Sequence, residues 1–269
     1  MSVTLTPTQS EASAIHNVHP PAHGALPHYS SRTLVGEDWL DRVMALHAQV
    51  RAEMPESQRH FLLPKPPEYF RDLLTEKTGA LVGVFVDEKL AGFMAVVRTE
   101  SFAVAHAAGR ITCPDDDGRL AAAFGVGEVG VCQSMCVLNA YLGRGMSRLQ
   151  VQAAVAWARR HECRHLFAQV ADQNMLSWMR FLDEDFSIVA TWESGHRRFL
   201  LRWLPPEEKA RQLRDATPLG LHVFRKDYAQ VPALVAELTA KVQRGHIVFL
   251  DNMAHEAGAL RFVFGQVAG

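Results

Sequence analysis

The sequence predicts an α/β (α+β) protein, and three observations carry that expectation. Short apolar runs alternate with segments whose apolar residues recur at helical spacing. Two of the runs, Leu81–Val86 and Leu90–Val97, are joined by Asp87-Glu88-Lys89, as in a hairpin. A third run, Glu128–Leu138, passes through a glycine-spaced turn into a long helical segment. With 269 residues, 48% of them hydrophobic, the chain can bury one large core or one core plus a smaller appendage.

Taken in order, residues 1–28 are rich in Ser, Thr, Pro and His without periodicity and are expected to form a disordered tail. His16, His19, His23 and His28 read as polar tail residues rather than metal ligands, because no rigid scaffold would position them. Tyr29–Val35 suits a first strand. Glu37 and Asp38 would cap a helix to Arg51, with Trp39, Val43, Leu46 and Val50 on its apolar side. The prolines between 64 and 67 break the chain before a short helix, Glu68–Lys77. Gly83 and Gly92 inside the hairpin strands suggest a bulge or a close backbone approach. Residues 101–127 read as an irregular connection whose Asp115-Asp116-Asp117-Gly118 forms a solvated turn.

After the strand Glu128–Leu138 come a helix from Arg144 to about His161, with Leu149, Ala153, Ala156 and Trp157 facing inward, and a buried strand, His165–Val170. Asn174–Leu182 is helical, and Ser187–Trp192 and Arg198–Trp203 form an antiparallel pair. Pro205-Pro206 marks a boundary. Beyond it, a helix, strand, helix and strand (Glu207–Arg214, Leu219–Arg225, Val231–Val242, His246–Leu250) either extend the main sheet or pack on it as a small lobe.

Charge and composition exclude several classes. The formal net charge of −1 gives no support to nucleic acid or an anionic membrane as partner. No apolar run is long enough to span a bilayer, and no secretory signal is visible, so the cytoplasm is the expected compartment. Cys113, Cys132, Cys136 and Cys163 lack metal-binding or redox spacing and read as reduced apolar fillers, and no metal is expected.

The most informative stretch is Val137-Leu138-Asn139-Ala140-Tyr141-Leu142-Gly143-Arg144-Gly145-Met146-Ser147-Arg148. Glycine lets the backbone turn tightly and approach a ligand, and the following helix offers unpaired N–H groups and the positive end of its dipole. With Arg144 and Arg148 beside it, such a turn suits a diphosphate.

Over roughly residues 29–204 the order of elements resembles the GCN5-related N-acetyltransferases (GNATs). That resemblance implies a mixed central sheet flanked by helices, here a GNAT domain at 29–205 with a small α/β extension at 206–269. The family carries Gln/Arg-x-x-Gly-x-Gly/Ala in its strand–turn–helix. On this chain Leu142 takes the first position, Gly145 the glycine and Ser147 the last. The preceding Val-x-Pro-x-Tyr of many members appears as Val137 to Tyr141. A second motif, Asn-x-x-Ala followed by an aromatic and Gly-Phe, falls on Asn174, Ser177, Phe181, Asp185 and Phe186. The resemblance implies acetyl-CoA as co-substrate. Its pyrophosphate would lie on Leu142, Gly143, Arg144, Gly145, Met146, Ser147 and Arg148, and its pantetheine arm on Asn174 between two splayed strands.

The implied chemistry is direct attack of a primary amine, on a small molecule or a peptide, at the thioester. It needs a neutral amine, a stabilised oxyanion and a leaving thiolate. The N–H groups near Val137 and Leu138 are the expected oxyanion donors. Phe181 stands where the family often has a tyrosine that protonates the thiolate, and Tyr141, Ser134 or a water are substitutes. Since a thiol has an unperturbed pKa of about 8.5, losing that acid slows turnover without abolishing it. Glu128 is the candidate base, and Gln133 on the same strand could orient the acceptor. Glu53, Glu56, Tyr69 and the aspartate turn lie in regions that shape acceptor sites, with no pattern to choose among them. Two alternatives remain at this stage: transfer of a longer acyl chain, or a degenerate GNAT that binds acyl-CoA as a sensor or scaffold. The C-terminal segment either mediates a homodimer or covers a sheet edge.

Overall fold

The computed structural model describes residues 27–224, 231–251 and 259–266; most of the expected N-terminal tail lies outside them. Its described strands form one mixed sheet in the order β1-β2-β3-β4-β5-β7-β6-β9-β10-β8. The strands are β1 (Tyr29–Leu34), β2 (Gly79–Val86), β3 (Lys89–Thr99), β4 (Val129–Val137), β5 (His165–Ala171), β6 (Phe186–Ser194), β7 (His196–Trp203), β8 (Thr217–Phe224), β9 (His246–Leu250) and β10 (Ala259–Gln266). Only β4 and β5 pair in parallel, because the helix α5 (Met146–Arg160) crosses over between them; the other pairs are antiparallel.

Alternation along each strand sends side chains to two faces. On one face α5, α6 (Met175–Asp183) and α8 (Val231–Gln243) pack against Val82, Met94, Val96, Leu166, Ala168 and Leu201. On the other, α1 (Leu40–Glu53) and α2 (Pro67–Leu74) cover Leu81, Phe85, Phe93, Ala95 and Val97.

The connection 101–127 is more ordered than its sequence suggests. It holds two short helices, α3 (Phe102–Ala107) and α4 (Arg119–Phe124), whose Phe102, Ala105, Leu120 and Phe124 pack on Val129, Val131 and Phe167. The aspartate turn is a cap. Asp115 accepts from the N–H groups of Leu120 (2.8 Å) and Ala121 (2.7 Å), and Asp117 from that of Arg119 (3.1 Å).

Helix α5 differs as well. It begins at Met146, and the residues it buries are Met146, Gln150, Val151, Ala154, Trp157 and Ala158; Leu149 and Ala153 are half-buried and Ala156 is exposed. The apolar side is rotated by one position because Gln150 points inward, donating to the Cys136 carbonyl at 2.7 Å. The glycines expected to mark close approach do so. A Cβ on Gly92 would lie 2.4 Å from the Cys136 carbonyl oxygen, and the β2–β3 and β3–β4 registers each shift nearby.

Beyond Trp203, α7 (Pro206–Arg214) leads into strands that join the sheet: β9 pairs with β6 through Ser187–Phe249 and Ile188–Val248. A buried network ties α7 to the sheet. Arg202 grips Glu208 with two bonds (2.7 and 2.8 Å) and donates through Nε to His165 Nδ1 (3.1 Å). Among the described residues no helix is long and apolar enough to cross a membrane.

Candidate active site

The turn between β4 and α5 forms as a strand–turn–helix. Gly143 (φ 75°) and Gly145 (φ 80°) both adopt the left-handed backbone that glycine takes without strain, and Gly145 caps α5. The Leu142 N–H donates to the Asn139 carbonyl and the Arg144 N–H to that of Tyr141. Those of Gly143, Gly145, Met146, Ser147 and Arg148 have no acceptor among the described residues. They are the orphan donors of a helix start, collected in one turn at the positive end of the dipole.

The side chains around this turn contribute unequally. Leu142 is exposed, and Met146 is buried against Val84, Val86 and Ala91, so only its backbone faces outward. Arg148 is held by Glu184 at 2.9 Å, whereas among the described residues Arg144 reaches only the Tyr141 ring (5.9 Å) and is the more available cation.

Toward the interior, β4 and β5 separate. Their pairing ends at Cys132–Ala168, yet β4 continues to Val137 and β5 to Ala171. The parting coincides with a bulge. Phe93 faces Cys136 and Ala95 faces Gln133, so Ser134 and Met135 together oppose Met94, and Ser134 takes a positive φ of 49°. A non-glycine residue in that region is strained, and a bulge re-aims the strand beside a functional cleft.

The gap holds a cavity of about 100 Å³, with Gln133, Ser134 and Met135 on one side and Ala168 to Ala171 on the other. Asn174, Ser177 and Phe181 of the α6 segment, Arg198 of β7 and Phe61 also line it. Asn174 is positioned by its own backbone, whose carbonyl accepts from Ser177 and Trp178, and its side-chain amide has no bond among the described residues. Phe181 is 3% exposed and packs edge-on against Phe186.

The structure brings Gln133, Asn174 and Phe181 together, but not all the expected residues. Glu128 sits just before β4, five positions and about 16 Å of strand from Gln133, and faces Arg98 at 3.7 Å. It does not line the cleft, so its expected role as base has no geometric support. The Leu138 N–H donates to the Ala91 carbonyl at 2.9 Å and is spent in the β3–β4 ladder. Val137, opposite Gly92 and next to that bonded pair, has its N–H turned away from β3 by antiparallel alternation.

One residue that the sequence left undistinguished belongs to this region. The Tyr69 hydroxyl donates to Gln133 Oε1 at 3.1 Å. Burial pushes its phenol up to about 12, against the opposing pull of a Ser134 hydrogen bond and the Arg110 charge, so it stays protonated at neutral pH. Burial likewise raises the Cys132 and Cys136 thiols and keeps them inert. Among the described residues no group of His, Cys, Asp and Glu could hold a metal ion.

The sequence matches the Acetyltransferase (GNAT) family over residues 46–182, just over half of the chain. The chain belongs to this family. This GNAT is an acyltransferase by membership, and the matched span contains the glycine turn, the bulge, Asn174 and Phe181. No curated protein matches the sequence. Solved structures similar to it include a GNAT acetyltransferase from Streptococcus pneumoniae (15% identity, TM-score 0.49, covering 65% of this chain and 98% of that one). NAA60 of Arabidopsis thaliana in complex with acetyl-CoA is also similar (15%, 0.48, 65% and 99%). So is FeeM, an N-acyl amino acid synthase from uncultured soil microbes (14%, 0.47, 70% and 97%).

Proposed function

We propose that this GNAT transfers acetyl from acetyl-CoA to a primary amine by direct attack. The observation that carries the reading is the set of unpaired N–H groups at Gly143 and from Gly145 to Arg148, opening beside the gap between β4 and β5. Their number and direction suit a diphosphate, with Arg144 adding charge. The unpartnered amide of Asn174 and the edges of the parted strands suit the amide-bearing pantetheine arm. When bound, the thioester supplies an activated acyl group. The chain's own residues orient and polarise.

Around the reacting carbon, the β4 edge freed from β5, including the Val137 N–H, supplies donors for the charge that develops on the acyl oxygen. Tyr69 fixes the Gln133 amide, leaving its NH2 to face the acceptor. No carboxylate lines the cleft among the described residues. Arg198 lines it, and Arg110 lies close enough to act on Tyr69. These positive charges disfavour an ammonium and so favour the neutral, attacking amine. Phe181 cannot donate a proton to the thiolate, which leaves with solvent help.

The reading is tested by mixing the protein with acetyl-CoA or long-chain acyl-CoA and a panel of amines while following thiol release. Amine-dependent release from acetyl-CoA is expected. Binding without release across the panel would favour a sensor, and release from long-chain thioesters alone would favour the longer-chain enzyme.

A further inference from the structure

We propose that the amine acceptor carries an anionic group, a carboxylate or a phosphate, held in a basic pocket between α1 and α2. The inference rests on the acyltransferase reading above and adds the substrate class. The pocket encloses about 420 Å³ and is lined on its polar side by His47, Arg51, Arg59 and Lys65, with no acidic residue in its wall among the described residues. Arg51, Arg59 and Lys65 are half-buried, and none forms a salt bridge among the described residues. Arg51 donates through Nε to the Leu62 carbonyl (3.2 Å), and Arg59 to those of Met54 and Ala52 (3.3 and 3.5 Å). These bonds fix the guanidinium groups and leave their other donors for a ligand.

Four neighbouring carboxylates are engaged elsewhere. Glu53 accepts from Gln49, Glu37 and Glu68 face Arg71, and Asp72 faces Lys77. Like charges gathered without counter-charge repel one another, and an anion that bridges them removes that penalty.

His47 lines the same wall and is held within it. It is only 5% exposed, yet its Nε2 has no hydrogen-bond partner among the described residues, although buried polar atoms are nearly always paired. The ring is held edge-on to Phe70 (5.4 Å) and stacked on Phe93 (6.3 Å), on the wall of the pocket. Burial, with the charges of Lys65 and Arg51, lowers its pKa, and burial with Arg110 lowers that of Lys65. Both shifts come first from burial, and the neighbouring positive charges add to it.

Tyr69 links this pocket to the cleft. The Lys65 ammonium lies over its ring (4.8 Å from the centroid), and its hydroxyl reaches Gln133. An acceptor anchored by its anion at Lys65 and Arg51 therefore extends past Tyr69 toward the bulge, where its amine meets the thioester.

The test compares free amino acids, their carboxamides and phosphoethanolamine as acceptors, in the wild-type chain and in Lys65→Met and Lys65→Arg. At least a tenfold higher kcat/KM is expected for the amino acids or the phosphate ester than for the carboxamides. Lys65→Met should erase that preference through KM while the KM for acetyl-CoA and the melting temperature hold, and Lys65→Arg should restore it. Equal use of carboxamides, or a preference that survives Lys65→Met, overturns the inference while leaving the acyltransferase reading intact. If no amine is acylated, that reading fails. Calorimetric titration with the amino acids and carboxamides then decides the pocket: selective binding lost in Lys65→Met upholds it, and equal or absent binding overturns it.

Discussion

At the glycine turn, the groups offered to a ligand are backbone N–H donors on one continuous strand–turn–helix. At the bulge, they are side chains from distant parts of the chain: Tyr69 from α2, Gln133 from β4, Asn174 from the start of α6, and Arg198 from β7. The first end depends on backbone direction and tolerates Leu142 where a polar side chain is usual in the family. The second depends on where each side chain is carried by its element, so exchange of one residue alters what is recognised. One end is suited to an invariant co-substrate and the other to a variable acceptor.

The sharpest way to break this comparison is Gly145→Trp. No atom of the described residues lies within 4 Å of a Cβ built there, so the fold should survive a strain of about 1–2 kcal/mol from the positive φ. The indole would occupy the space in front of the unpaired donors, and acetyl-CoA affinity should fall at least ~100-fold by calorimetric titration. Gln133→Ala probes the other end. It should lower kcat/KM for the amine about tenfold, the effect of one hydrogen bond, and leave acetyl-CoA affinity within error. Phe181→Tyr should raise kcat severalfold, up to about tenfold, by returning a proton donor to the cleft. An unchanged kcat would place the leaving sulfur beyond its reach.

A separate effect, on stability, lies outside both ends. His165, buried beside Arg202, has its pKa lowered to about 4 from 6.5, chiefly by burial and then by the charges of Arg202 and Arg164. The unfolded chain binds that proton more readily than the folded one. Stability should therefore fall as the pH drops from 6.5 toward 4, by at most ~1.4 kcal/mol per pH unit. Denaturant titrations of wild type and His165→Asn across that range should converge toward low pH, with the wild-type slope the steeper.

The order of strands and helices was legible because each element carries its own period, and the glycine turn because its parts are contiguous in sequence. What escaped was non-local. The helices α3 and α4 are too short to show a period, and their stability comes from packing on Val129 and Phe167. The rotated face of α5 follows from Gln150, whose inward turn depends on the Cys136 carbonyl across the fold. Glu128 drew attention by its strand, but a strand's sequence does not say at which end its neighbour departs. Gln133 and Ser134 interrupt an otherwise apolar strand, and that interruption was the available signal of the bulge. The link from Lys65 through Tyr69 to Gln133 joins residues up to 68 positions apart, and no local pattern encodes it.

The central claim is that the backbone donors at Gly143 and from Gly145 to Arg148 are the grip on the co-substrate. Amide NMR of the labelled chain during titration with acetyl-CoA tests it most directly. The account expects these N–H resonances to shift together and their solvent exchange to slow at saturation, while the Leu138 amide, already bonded to Ala91, stays protected throughout. Saturable binding that leaves the exchange of those five amides unchanged would contradict it.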